Sequence, residues 1–403
     1  MSGRQQRVLG VGIVGIGGAA VNMLPAFARN PDFNVVAAAD IDPEILGRFA
    51  RDYPGAATFR SVTEICACPA VDLIYIGTPT RFHTEHAALA IERGKHVLIE
   101  KPMAVTLEEA EAMIAAAERH KVLLGVNVKH SFEPRIQKLR GLAQSRELGP
   151  LRMLHSWRYV DWLYRPRTRA ELTPGWGDGL LWRQGPHHFD LLRTIGGGML
   201  RSVRGSCQTF DPARRVTGAY TAYLEFESGL VCTAVSSGYD HFSSRAYVRG
   251  FSGEKPLAAP GQYARARRAL EAHADDPSWE EAQAKAERYG GGGPVADNGS
   301  VVSSSWLLSG PLIASFEHAD VRLSPAGLIV DGGREQWEIP LRDQGDGRDG
   351  RLQSFYRAIV DGAPLPADGR WGKATQEVLV ALERSAATRA EIRLQHQTAY
   401  ADG

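Results

Sequence analysis

The first third of the chain predicts a doubly wound α/β fold on a parallel sheet, and three observations carry that expectation. Short apolar runs alternate with helical patterns, the first run ends in closely spaced glycines, and the second ends in an aspartate. Runs separated by helices return in the same direction, which gives a parallel sheet covered on both faces. In such a sheet, ligands collect at the carboxyl ends of the strands.

The elements follow in order. Arg7 to Val14 reads as a buried strand closing in Gly15-Ile16-Gly17-Gly18-Ala19-Ala20. This is a G-x-G-x-x-A fingerprint, whose small residues let the backbone approach a pyrophosphate at a helix N-terminus. A second match at Gly10, Gly12 and Gly15 lies inside the strand and is rejected. Val21, Leu24, Phe27 and Ala28 then recur at helical spacing, with Pro25 expected to bend the helix. Val35 to Ala39 forms a strand ending in Asp40, placed to accept from the adenosine ribose hydroxyls. Asp40 repels a 2′-phosphate and Ile41-Asp42 behind it offers no arginine, so NAD is favoured over NADP.

Val71 to Gly77 is the next strand and delivers Thr78-Pro79-Thr80 to the same edge. A helix from about His83 to Arg93 ends at Gly94, and His96 to Ile99 runs into Glu100-Lys101-Pro102. A lysine released at a strand end can reach a ligand lying across the sheet. Thr106-Leu107-Glu108-Glu109 is a capping box opening a helix to about His120, and Val122 to Val128 is a further strand.

Composition sets the outer limits. Lys+Arg 47 against Asp+Glu 46 leaves a net charge of +1, which points away from nucleic acid or an anionic membrane as main partner. No apolar run approaches the roughly 18 residues that span a bilayer, and Met1 to Arg7 lacks a signal-like apolar segment. Cys66 and Cys68 are too close for a zinc knuckle, and the 4 cysteines read as reduced thiols. A cytoplasmic protein without a metal is expected.

Farther on, Leu151 to Val160 alternates as a half-exposed strand does, and Trp157 to Arg169 mixes aromatics with arginines. Two readings stay open for that stretch. Its arginines stack on aromatics at a surface with no specific role, or Arg165, Arg167 and Arg169 with Tyr164 hold a planar anionic substrate. From Glu254 to Ser303 the pattern suits an insertion of helical and mobile pieces, with Ala264 to Ala272 and Trp279 to Arg288 helical. A lid and a subunit-contact arm are both open for it. Val321 to Pro340 reads as a hairpin-type return.

Gly15-x-Gly17 with Asp40, Gly77-Thr78-Pro79-Thr80, His83, Glu85-His86 and Gly94-Lys95-His96-Val97-Leu98-Ile99-Glu100-Lys101-Pro102 together resemble the Gfo/Idh/MocA oxidoreductases. The resemblance implies an NAD(P)-binding Rossmann domain over 1–127 and an α+β substrate domain over 128–350. The second domain would carry a large open mixed sheet facing the nicotinamide, followed by C-terminal helices over 351–403. It also implies subunit contacts through that sheet, as a homodimer or homotetramer. Lys101 matches the catalytic lysine, and Gly15, Gly17, Gly18, Ala19, Asp40, Thr78, Pro79, His83, Glu100 and Lys101 form the implied cofactor set.

Leu180 to Leu192 is similar to the family helix that carries an acid and, four residues later, the catalytic histidine. His187 holds the histidine position, while Arg183 stands where many sugar and inositol dehydrogenases have aspartate; His188 reads as a packing residue. Arg183 cannot accept a proton. Sharing a helix face with His187, it is expected to lower the pKa of His187 and Lys101 and to offer a carboxylate-binding fork. Tyr159 to Arg167, Phe210 to Arg214 and Gly218-Ala219-Tyr220 look like a subgroup that oxidises phthalate-type cis-dihydrodiols to catechols. The substrate so implied is a small carboxylated, aromatic-derived diol. A sugar, inositol or sugar-derived alcohol is the alternative, and a non-catalytic NAD-binding sensor is a further one.

Overall fold

The computed structural model describes residues 7–173, 179–244, 265–290, 310–341 and 347–402. Its first sheet takes β1 (Leu9–Val14), β2 (Phe33–Ala39), β3 (Ala57–Phe59), β4 (Leu73–Ile76), β5 (His96–Ile99) and β6 (Leu124–Val126). All pairs are parallel and the order is β3-β2-β1-β4-β5-β6. The reversal between β1 and β4 opens a crevice at the strands' carboxyl ends, where a doubly wound sheet binds its ligand. Helices α1 (Gly18–Arg29), α2 (Pro43–Asp52), α3 (Val62–Ala67), α4 (His83–Glu92) and α5 (Leu107–His120) make the crossovers. Pro25 is accommodated inside α1, which continues to Arg29. The capping box at Thr106 and Glu109 is present at the start of α5.

After α6 (Pro134–Ser145) come β7 (Leu151–Tyr159), α7 (Gly179–Gly196), β8 (Leu200–Gln208), β9 (Ala219–Phe226) and β10 (Val231–Ser237). Two short helices, α8 (Arg265–Glu271) and α9 (Pro277–Ala286), precede β11 (Leu312–Phe316), β12 (Ala319–Leu323), β13 (Gly327–Gly332) and β14 (Gln336–Pro340). With β15 (Ile392–Arg393), these strands form a nine-stranded sheet in the order β14-β13-β12-β11-β7-β10-β9-β8-β15. Only β7 and β10 pair in parallel. Period-two burial in β10 puts one face of this sheet inward. The opposite face leaves Met153, Trp157, Tyr223 and Ile313 exposed.

The chain ends in α10 (Arg348–Asp361) and α11 (Gly369–Thr388). These helices do not form a layer of their own. Leu352, Phe355 and Tyr356 of α10 join the core of the first sheet, together with Leu9, Phe33 and Tyr75. Trp371 of α11 packs with Val126 and Met103, while Val378, Leu379 and Leu382 pack into the second domain. α11 therefore packs into the cores of both domains, and α10 into that of the first. Among the described residues, no helix is long and apolar enough to cross a membrane. None of the four cysteines is in a disulfide.

Candidate active site

Two adjoining hollows lie at the carboxyl edge of the first sheet. The larger is a cleft of about 550 Å³ lined by Gly15, Gly17, Asp40, Thr78 and Pro79. Gly15 has φ of +82°, and a β-carbon there would stand 2.7 Å from Thr78 Cγ2, so only glycine fits. Space above Gly17 is open for a ligand's close approach. Asp40 holds the loop in this shape. Its Oδ2 accepts from Ile16 N at 2.7 Å and its Oδ1 from Asp42 N at 3.0 Å. A glycine loop leading into α1, an open floor and an acid at the end of β2 fit a nicotinamide dinucleotide.

Two expectations for this cleft change. His83 does not line it; the buried ring lies 3.0 Å from Pro102 O and 2.8 Å from Thr78 O, bracing the two loops from behind. Arginines are present around Asp40 as well, because Arg60, Arg81 and Arg288 line the same cleft. They come from sequence-remote segments, so inspection of Ile41-Asp42 could not find them. Arg60 donates to Ile41 O at 2.8 Å, and Arg81 lies over the Phe82 ring at 4.6 Å.

The second hollow, about 290 Å³, is lined by Ala19, Asn22, Met23, Glu100, Lys101, Asn127, Lys129, His187, Arg348 and Arg351. Glu100 accepts from Tyr75 Oη at 2.8 Å and from Asn127 Nδ2, which holds its carboxylate still. Lys101 Nζ donates to the main-chain oxygen of Arg183 at 3.0 Å, which ties the strand-end lysine to α7. Burial above all, helped by Arg183 and Lys129 and opposed by Glu100 and Glu171, pulls its pKa down to about 8. His187 Nδ1 is buried and makes no hydrogen bond among the described residues. Burial, then Lys101, His130, Lys129 and Arg158, hold the His187 pKa well below its ordinary value. The ring is thus neutral, and cations other than Arg183 account for its charged surroundings.

The structure brings Lys101, His187 and the main chain of Arg183 together, but not the arginines of the 161–172 loop. Arg165 pairs with Asp161 at 2.9 Å and is half exposed. Arg167 donates to Trp162 O at 2.9 Å, pairs with Glu171 at 3.3 Å and stacks on the Trp162 ring. Arg169 is exposed. Tyr164 donates to Asp211 at 3.0 Å with Arg267 stacked on its ring at 3.8 Å. The expectation that these groups ring the substrate is corrected accordingly: i,i+4 acids within the loop take up Arg165 and Arg167, and Tyr164 is turned to Asp211. Arg183 does not line the second hollow; its charge acts on Lys101 and on Glu171. His188 is a packing residue, buried 2.8 Å from both Tyr220 Oη and Ser156 Oγ.

Lys129, Arg348 and Arg351 are the cations that sequence reading missed. Asn127 and Lys129 could have been found, since they follow β6 at the edge already marked by Lys101. His130 and Glu133 follow at once. The His130 ring meets His187 edge-on, centroids 5.1 Å apart, and its Nδ1 lies 2.6 Å from Glu133 Oε1. Arg348 and Arg351 arrive on α10, far along the chain, with no local signal. Arg351 is also structural, its Nη1 donating to Val128 O at 3.3 Å.

Residues 9–128 match the family model described as "Oxidoreductase family, NAD-binding Rossmann fold", and residues 136–254 match the "GFO/IDH/MocA C-terminal domain". The chain belongs to the Gfo/Idh/MocA oxidoreductases. Among curated relatives it is 41% identical over 234 residues to the 1-carboxy-3-chloro-3,4-dihydroxycyclo hexa-1,5-diene dehydrogenase of Comamonas testosteroni. That match takes in 58% of this chain and 59% of the relative. It is 32% identical over 142 residues to the scyllo-inositol 2-dehydrogenase (NADP(+)) IolW of Bacillus subtilis (strain 168), covering 35% of this chain and 39% of that one. The chain thus spans less than two-thirds of either relative. A solved structure from Bordetella bronchiseptica RB50, described as a dehydrogenase, superposes with TM-score 0.86 at 32% identity, over 96% of this chain and all of that one. The WlbA dehydrogenase of Bordetella pertussis, in complex with NADH and UDP-GlcNAcA, shares the fold with TM-score 0.72 at 18% identity, over 96% and 98% of the two chains.

Proposed function

We propose that this oxidoreductase uses NAD to oxidise a carboxylated aromatic cis-dihydrodiol, of the phthalate 4,5-dihydrodiol type, to the corresponding catechol. One observation carries the reading. The hollow beside the glycine loop holds Lys101 and His187 together with Lys129, Arg348 and Arg351, and among the described residues Glu100 is its one acidic lining residue. Such a space suits an anionic reactant. The chlorinated carboxy-diene-diol named for the Comamonas relative supports the same class, and Asp40, which lines the cleft with Arg60, Arg81 and Arg288, is the residue on which NAD is proposed over NADP.

Bound nicotinamide supplies the hydride acceptor. Lys101 takes the proton of the reacting hydroxyl as its ring carbon gives up hydride, and a pKa of about 8 makes the neutral amine available near physiological pH. His187 presents its unpartnered Nδ1 and shares that proton. Lys129 and Arg348 hold the carboxylate, with Arg183 adding its field. The ketone that results enolises to the catechol, so the ring gains aromaticity and the step is strongly downhill. For the test, purified protein receives NAD and phthalate cis-4,5-dihydrodiol while reduced-nicotinamide absorbance is followed. Turnover of an inositol or a sugar without any signal on the diol would remove the substrate assignment and leave the family untouched.

A further inference from the structure

The described part of the expected insertion, 265–290, lies beyond both family models, which end at 128 and 254. It is anchored at two places. On the second domain, Glu280 receives a forked pair from Arg214 at 2.9 and 2.8 Å and accepts from Arg167 N at 3.0 Å. Arg267 stacks on Tyr164 at 3.8 Å and donates through Nε to Tyr239 O at 3.1 Å. On the first domain, Tyr289 Oη bonds Asp52 Oδ2 at 2.5 Å, and Arg48 lies over the Tyr289 ring at 5.5 Å. The segment therefore runs from the second domain to α2 of the first.

Between these anchors Arg288 lines the dinucleotide cleft with Gly15, Gly17 and Asp40. Its Cγ stands 3.9 Å from where a β-carbon on Gly18 would be, over the first residue of α1. No hydrogen bond or ion pair of its guanidinium is formed among the described residues. We propose that 265–290 is a clasp on the cofactor and that Arg288 binds its pyrophosphate. The inference rests on the dinucleotide reading of the cleft and is independent of the substrate. Pyrophosphate is favoured over a 2′-phosphate by position, since the side chain passes over the N-terminus of α1, where main-chain N–H groups already attract phosphate. A forked guanidinium completes that cradle from the side the helix leaves open.

Binding constants for NAD, NADP, ADP-ribose and adenosine, with wild type and Arg288→Ala, test this by calorimetry. Loss of one charge-assisted contact should weaken NAD and ADP-ribose alike, by roughly ten- to a hundredfold, and leave adenosine unchanged. Arg288→Lys should recover part of the loss. Hydrogen exchange should show 277–290 protected by NAD in wild type, with less protection in Tyr289→Phe, where the anchor on Asp52 is cut. Equal affinities for NAD in wild type and Arg288→Ala would overturn the inference, as would a loss confined to NADP, which would move Arg288 to a 2′-phosphate. A wild-type protein that binds no dinucleotide would instead overturn the cofactor reading itself.

Discussion

Lys101 offers the sharpest test, because its surroundings fix both a position and two directions. Its pKa is drawn from 10.5 to about 8, first by burial. If the neutral amine is the base, kcat/KM for the diol should climb about tenfold per pH unit below that value and flatten above it. At pH 7 about one molecule in ten would be active, and at pH 9 about nine in ten. Lys101→Ala should lower kcat by about 10²- to 10⁴-fold and abolish the bend. Two further changes should move the bend in opposite directions. Arg183 lowers this pKa, so Arg183→Met should shift the bend upward, while its main-chain oxygen still holds Lys101 Nζ. Glu100 raises it, so Glu100→Gln should shift the bend downward. Stopped-flow pH profiles on the three variants decide the matter. A bend that survives in Lys101→Ala, or that falls in Arg183→Met, refutes the assignment.

Other outcomes can be checked with less effort. Lys129→Met and Arg348→Met should raise KM for a carboxylated diol with little change in kcat, as expected of groups that bind ground and transition states equally. A β-carbon on Gly125 would stand 2.4 Å from Phe355 Cε2, so Gly125→Ala should cost about 1–3 kcal/mol in denaturant unfolding as α10 is pushed off the first sheet. The open face of the second sheet exposes Met153, Trp157, Tyr223 and Ile313. If copies of this chain pair through that face, Trp157→Glu should separate them, and sedimentation velocity reads the change.

The first sheet was legible because each of its elements carries a local signal. Gly15 marks the end of β1, Asp40 the end of β2, Gly94 the end of α4, and the Thr106–Glu109 box the start of α5. Lys101 and His187 stood out because the strand end and the helix around them are themselves recognisable. The second domain's arginines misled for a physical reason. Asp161 precedes Arg165 by four residues and Glu171 follows Arg167 by four, and those neighbours pair with these two arginines before any substrate reaches them. The same i,i+4 arithmetic was available in the sequence. Arg348, Arg351 and Arg288 were not accessible that way. They reach the site through α10 and the insertion, and only the packing of Phe355 on the first sheet or Tyr289 on Asp52 reveals it.

The charge of the second hollow leads to one more test, which separates an acidic reactant from a neutral polyol. Lys101, Lys129, Arg348 and Arg351 line it, Glu100 is its one acidic lining residue among the described residues, and burial keeps His187 neutral. A bound carboxylate would stabilise the ammonium form of Lys101 and raise its pKa. The bend in kcat, which reports the complex, should therefore lie above the bend in kcat/KM, which reports the free enzyme. With an uncharged cis-dihydrodiol of the same ring the two bends should coincide, since nothing is added to the field around the amine. A substrate whose carboxylate lay outside the hollow would leave the bends together in both cases. That outcome would reject Lys129 and Arg348 as its partners even if turnover were fast.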